Sequence, residues 1–339
     1  MGATFKSGND KDPVPTRKAY GAALVKLGEE HEDVVALDAD LAVSTQSIQF
    51  GKRVPERFFN VGPAEANMMS MACGLATTGK VPYASTFAIF ATGRAYDQVR
   101  LGIAHNELKV RVCASHGGLS LGEDGASHQM IEDIALMRVM PKMQVVVPAD
   151  YNQAYRAVLE SYDREGPMYM RFGRPATPFI YDEVPETLGR GVDVLRDGSD
   201  ISIFACGHMV WRALEAAEML ERDQGVSAEV VNVSILKPLD SETVLASLAR
   251  TKVAVTAEEH RKVGGLADAI REVAAEQYTV PIFAVGVGDR FGLSGTGEAV
   301  MERFGLTAEG IADTARQALV LKPILGRHAP PGLDVDEYT

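Results

Sequence analysis

ISIFACGHMVWRALEAAEMLERDQGVSAEVVNVSIL, residues 201–236, contains a complete strand–helix–strand unit. The apolar run ISIFACG reads as a buried strand, 209–222 carries helical spacing, and SAEVVNVSIL is a second β-rich run. Two strands separated by a helix of more than ten residues imply a right-handed crossover and parallel pairing. The same alternation continues toward the C-terminus, with a helix at 241–249, KVAVTAE at 252–258, a helix at 265–276 and PIFAVGV at 281–287. On the N-terminal side it recurs as a helix at 17–30, VVALDAD at 34–40 and a Met- and Ala-rich helix at 64–77 that reads as packed on both sides. The strands VRVCAS (110–115) and QVVVPAD (144–150) follow, then a helix at 151–162 behind an Asp150 cap. A Pro-, Thr- and acid-containing connection around 175–191 separates the two series. The expected fold is α/β, with two domains of mainly parallel sheets spanning 15–185 and 190–325. A flexible arm (1–14) and a loose tail (326–339) are expected to flank them.

The 339 residues include 34 basic and 46 acidic side chains, a formal charge of −12. That balance argues against nucleic-acid binding or an anionic membrane surface, both of which need a basic face. With 46% hydrophobic and 24% charged residues the chain is expected to fold as a soluble protein. No apolar run approaches the ~20 residues of a membrane span. Cys73, Cys113 and Cys206 are widely spaced in apolar surroundings and read as reduced core thiols. Together with an N-terminal stretch lacking the apolar core of a secretion signal, this makes a cytoplasmic location the expectation.

Three segments carry chemistry. SHGGLSLGEDGASHQ (115–129) follows a strand and packs His116, Asp124 and His128 into one glycine-rich excursion, the usual place for a ligand at a parallel sheet. In NVGPAEANMMSMACG (60–74), Glu65 is the only charge between Arg57 and Lys80. It reads either as a helix-start carboxylate favoured by the dipole or as a carboxyl whose pKa an apolar site raises. In YASTFAIFATGRAYDQVR (83–100), Phe87 and Phe90 share a face if helical, and Gly93 continues that row. Such a pair is either core or a platform for a flat heteroaromatic ring.

Taken in order, these segments resemble the C-terminal half of the transketolase-like thiamine diphosphate enzymes over nearly the whole chain, roughly 15–325. The matches are Gly62-Pro63-Ala64-Glu65, Ser85-Thr86-Phe87 with Phe90, and His116 followed by Gly122-Glu123-Asp124-Gly125, His128-Gln129 and Glu132. The PAD at 148–150 and the run from Glu258 to Gly265 also fit. The resemblance implies a pyrimidine-binding domain followed by a transketolase C-terminal domain. It implies that Glu65 bonds the aminopyrimidine N1′ and so promotes loss of the thiazolium C2 proton, the cofactor then acting as electron sink. It further implies that Phe87 and Phe90 flank the ring, that Asp40 lies near the cofactor, and that His116 and His128 hold substrate oxygens and move protons. Asp124 would read a substrate hydroxyl, and Arg17, Ser44, His116 and Arg171 would grip the phosphate of a sugar. The sequence departs from the family at Ala66, Asn67 and Gly93, leaving the glutamate intact.

The GDG element that anchors Mg²⁺ and diphosphate in these enzymes does not occur in the sequence. The expectation is therefore half an active site with no metal ligands of its own. Mg²⁺ would be held by an N-terminal transketolase subunit, in a heterotetramer with two copies of each chain. On this reading the chain is the C-terminal subunit of a split transketolase that moves a two-carbon ketol unit from a ketose phosphate to an aldose. The alternatives are a 2-oxoacid dehydrogenase β subunit, a 1-deoxyxylulose-5-phosphate synthase-like enzyme, and a non-catalytic regulatory paralogue.

Overall fold

The computed structural model describes residues 11–325. The expected tail, and residues 1–10 of the expected arm, lie outside the described residues. The end of the arm is anchored, contrary to a flexible reading through residue 14. Val14 and Thr177 exchange backbone hydrogen bonds (3.1 and 3.3 Å), and Lys11 Nζ donates to the Asp182 carbonyl at 2.7 Å.

The first domain is built on strands β1 (Val34–Asp38), β2 (Phe58–Asn60), β3 (Val81–Phe87), β4 (Arg111–Ser115), β5 (Gln144–Val146) and β6 (Met168–Phe172), all parallel to their neighbours in the order 5-6-4-3-1-2. Alternation along β1 explains the layering. Val34 and Ala36 pack with Leu24 and Leu27 of α1 (Thr16–Glu30) and Ala154 and Val158 of α6 (Tyr151–Ser161). Val35 and Leu37 pack with Met68, Met69 and Ala72 of α4 (Glu65–Thr77). Short helices α2 (Ala42–Thr45), α3 (Ile48–Arg53) and α5 (Asp133–Arg138) join these layers. Asp150 caps α6 as expected, accepting the Gln153 N–H at 2.8 Å. α4 is not buried all round: Asn67, Ser70, Met71 and Gly74 are exposed.

The second sheet runs β12-β11-β8-β9-β7, from β7 (Val192–Arg196), β8 (Ile201–Ala205), β9 (Ala228–Val233), β11 (Ala254–Arg261) and β12 (Ile282–Val287), with only β7 antiparallel. One face carries α7 (Met209–Gln224) and α11 (Ala308–Leu325), and α8 (Ser241–Thr251) and α9 (Leu266–Gln277) cover the other. α10 (Gly297–Arg303) follows β12. The run SAEVVNVSIL, expected as one strand, is two. After Ser234 the chain leaves the second sheet, and β10 (Ile235–Lys237) pairs antiparallel with β5 at the edge of the first. Gly191 makes the turn possible. Its carbonyl accepts the N–H groups of Ser234 (2.7 Å) and Ile235 (3.1 Å), and its φ of 78° and contact with the Ile235 side chain suit only glycine. The two domains thus share a strand segment, and one apolar cluster runs from Val112 through Leu236 to Ile270.

Candidate active site

The C-terminal ends of β3, β4 and β6 are level, with Phe87 opposite Ser115 and Ser115 opposite Phe172. Side chains following these strands converge at one sheet edge, the position that parallel α/β sheets offer a ligand.

Glu65 is the first residue of α4 and only 5% exposed. Its Oε1 lies 3.3 Å from Arg94 Nη1, and the Arg94 guanidinium sits over the Phe90 ring, 4.0 Å from its centroid. Phe87 and Phe90 do not share a helix face: Phe87 ends β3, and Phe90 opens a π-helical turn, Phe90–Arg94. Their rings still stack, with centroids 5.9 Å apart and planes 15° apart. Arg94 was not singled out from the sequence. Its place four residues beyond Phe90 is the signal that could have found it.

His116 stacks on Phe87 at 3.9 Å, and His128 meets Phe90 edge-on at 5.4 Å. His116 has φ of +63°, a left-handed conformation rare for a side-chain-bearing residue and frequent at functional sites. Burial, and then the nearby charges of Arg17 and Arg174, push its pKa down to about 3, so the ring is neutral at pH 7. Its Nδ1 is engaged by Ser115 Oγ at 2.7 Å, which leaves Nε2 for a ligand.

Arg17 and Arg174 share a cleft of about 390 Å³ between the domains, with Ser120 and His208 among its walls. Arg17 donates to the Ser44 carbonyl at 2.7 Å, yet its buried Nε has no partner. Burial and Arg174 lower its pKa, the mark of a cation short of an anion. Arg174 pairs with Glu123 at 3.0 Å and lies 3.8 Å from Asp124. The structure corrects the expectation for Arg171. It is buried, with Nε 2.8 Å from Asp133 and Nη2 donating to the carbonyls of Met130 and Glu259, so it is spent on the protein. The arginine that reaches the cleft is Arg174, three residues on. Arg171 reaches from inside β6 to Asp133 of α5 and to Glu259 of β11, whereas Arg174 lies past the strand's end. Asp40 is exposed at the end of β1, bonded to Asn60. Among the described residues no group of three or more His, Cys, Asp or Glu side chains is arranged to hold a metal ion.

A buried carboxyl beside a flat aromatic face and neutral imidazole is a donor set that fits an aminopyrimidine ring, and an unpartnered buried guanidinium N–H fits an anion. The fold is that of the thiamine diphosphate-dependent transferases, a pyrimidine-binding domain followed by a second α/β domain. The family models "Transketolase, pyrimidine binding domain" and "Transketolase, C-terminal domain" match residues 12–179 and 191–311. The chain belongs to the transketolase family and corresponds to its C-terminal half. It is similar to a solved structure described as split gene transketolase, inactive beta4 tetramer (TM-score 0.83, 46% identity, covering 91% of this chain and 99% of that one). It is 40% identical to the 6-deoxy-6-sulfo-D-fructose transketolase subunit SqwH of Clostridium sp., over 89% of this chain and 93% of that protein. Its identity to Homo sapiens transketolase is 35% over 90% of this chain, which spans 49% of that longer protein.

Proposed function

We propose that this chain is the C-terminal subunit of a split transketolase, active in a heterotetramer with an N-terminal-half subunit that supplies the diphosphate and Mg²⁺ site. The assembly transfers a two-carbon ketol unit from a ketose phosphate to an aldose, in the cytoplasm. The observation that carries this reading is the convergence of Glu65, the Phe87–Phe90 pair, two histidines and two arginines on one sheet edge. Bound thiamine diphosphate would supply the carbon nucleophile and electron sink. Glu65 would hold the pyrimidine and exchange a proton at its N1′, with Phe87 and Phe90 setting the ring plane. Nε2 of neutral His116 would hold a substrate oxygen by a hydrogen bond, and His128 would hold a second and move the proton. Arg17 and Arg174 would take the sugar's terminal anion, Arg174 releasing Glu123 to do so. A sulfonate fits the same pair, and comparing sugar phosphate, sulfo-sugar and free sugar would rank them.

The test is to combine the chain with a partner bearing the GDG element and assay ketose–aldose exchange. Transfer by the mixture and not by either chain is the expected result. Absence of transfer, or consumption of a 2-oxoacid instead, would overturn it.

A further inference from the structure

The histidine loop between β4 and α5 stands on the second domain. Its own backbone supplies one tie across its base, Gly118 N–H to the Met130 carbonyl at 2.7 Å, and beyond that base tight turns such as Gly125 N–H to the Gly122 carbonyl and Gln129 N–H to the Gly125 carbonyl (both 3.1 Å). At its entry, Glu259 of β11 accepts the Ser120 N–H at 3.0 Å, and a Cβ on Gly118 would fall 2.2 Å from the same carboxylate. Arg171 ties this carboxylate's backbone carbonyl to that of Met130, where the loop ends, and pairs with Asp133 beyond it. At the exit, the buried Gln129 amide donates to the Gly122 carbonyl (3.0 Å) and to the Leu293 carbonyl (2.8 Å) of the segment before α10. The contact there is backbone to backbone. A Cβ on Gly122 would meet Gly297 N at 2.5 Å, and one on Gly297 would meet the Ser120 carbonyl at 2.5 Å.

Buried ion pairs such as Asp133–Arg171–Glu259 return little net stability over an apolar core of the same shape. What they and Gln129 do return here is a fixed position for a glycine-rich loop whose own backbone ties it together at the base but holds its tip by short turns alone. We propose that the C-terminal domain sets the histidine loop, with Glu259 holding its entry, Arg171 of β6 joining Glu259 to Met130 where the loop ends, and the Gln129–Leu293 latch holding its exit. Gln129 and Gly292 are then positioning residues for His116, Asp124 and His128. The kinetic part rests on the transfer reaction proposed above; the structural part does not.

Gly292→Ala is the informative variant. Its Cβ would fall 1.7 Å from Gln129 Oε1, so the amide must leave the Leu293 carbonyl while both sheets stay untouched. In the full chain, amide hydrogen exchange across 117–129 should accelerate about tenfold or more, with exchange in β3, β4 and β8 unchanged. In the complex with the partner, kcat should fall about tenfold while thiamine diphosphate affinity stays within about twofold. Leu293→Ala keeps the carbonyl and should match wild type in both readouts. In a Gln129→Ala background, Gly292→Ala should add nothing further. Unchanged exchange in the loop, faster exchange across both sheets, or an equal effect of Leu293→Ala would overturn the proposal. A wild-type complex without transfer activity would overturn the reaction instead, and the exchange result would still decide this inference.

Discussion

Glu65 and the two β6-derived arginines illustrate how much one position matters. Glu65→Gln keeps shape but removes the exchangeable proton, so turnover of the complex should drop about 10²- to 10⁴-fold with the fold intact; steady-state kinetics beside circular dichroism checks it. Arg174→Ala should raise KM for a sugar phosphate about tenfold or more, with kcat less affected and the free sugar indifferent. Arg171→Ala should behave differently, because it strands Asp133 and Glu259 in the interior. Breaking such a buried network costs about 3–5 kcal/mol, and urea denaturation would register it before any kinetic effect. At this scale the motifs were legible as Glu65, Phe87, Phe90, His116 and His128. The arginine was not, because two arginines three residues apart look alike until the end of β6 separates interior from cleft.

At the scale of elements, the sheet edge does the assembling. Strand ends in register place Phe87 and His116 side by side although 28 positions of chain intervene, and His128 returns to them because the loop is clamped at both ends. α6 shows how such elements are tied down. Asp150 accepts the Gln153 N–H and, with its other oxygen, the Ile180 and Tyr181 N–H groups at 2.7 and 2.8 Å. Asp150→Ala would lose the cap and leave buried donors of the interdomain connection unpaired, costing about 2–4 kcal/mol in denaturant unfolding. The strand–helix alternation that revealed these elements came directly from hydrophobic periodicity. The split of residues 227–236 between two sheets did not, because no Gly or Pro marks the break at Ser234 within the run SAEVVNVSIL.

For the whole molecule, the exposed face of α4 is in keeping with the assembly proposed above. Alone it should bind thiamine diphosphate weakly and transfer nothing. With its partner, light scattering should report two copies of each subunit. Acid sensitivity is also a whole-molecule property. Burial holds the His208 pKa down to about 4, Arg212 adding to the effect, against 6.5 when unfolded. Above pH 6.5 this costs nothing. As pH falls from 6.5 toward 4 the unfolded chain takes up a proton that the native state refuses, and stability declines by up to about 1.4 kcal/mol per unit. Below 4 the native state protonates too and the slope from this residue ends. His208→Gln should therefore lose about 2–3 kcal/mol less than wild type between pH 6.5 and 4.5, as read by urea midpoints at the two values.

Periodicity and ordered motifs alone determined the α/β class, the two-series organisation and the family, because these depend on residue spacing along one chain. The tertiary structure decided which arginine enters the cleft, that Arg94 sits between Glu65 and Phe90, and that the second domain holds the histidine loop. Those outcomes depend on strand ends, sheet edges and packing between segments more than a hundred residues apart, such as Ser120 with Glu259 and Gln129 with Leu293. No local pattern encodes such pairs; they exist only once burial has brought both partners to the same place.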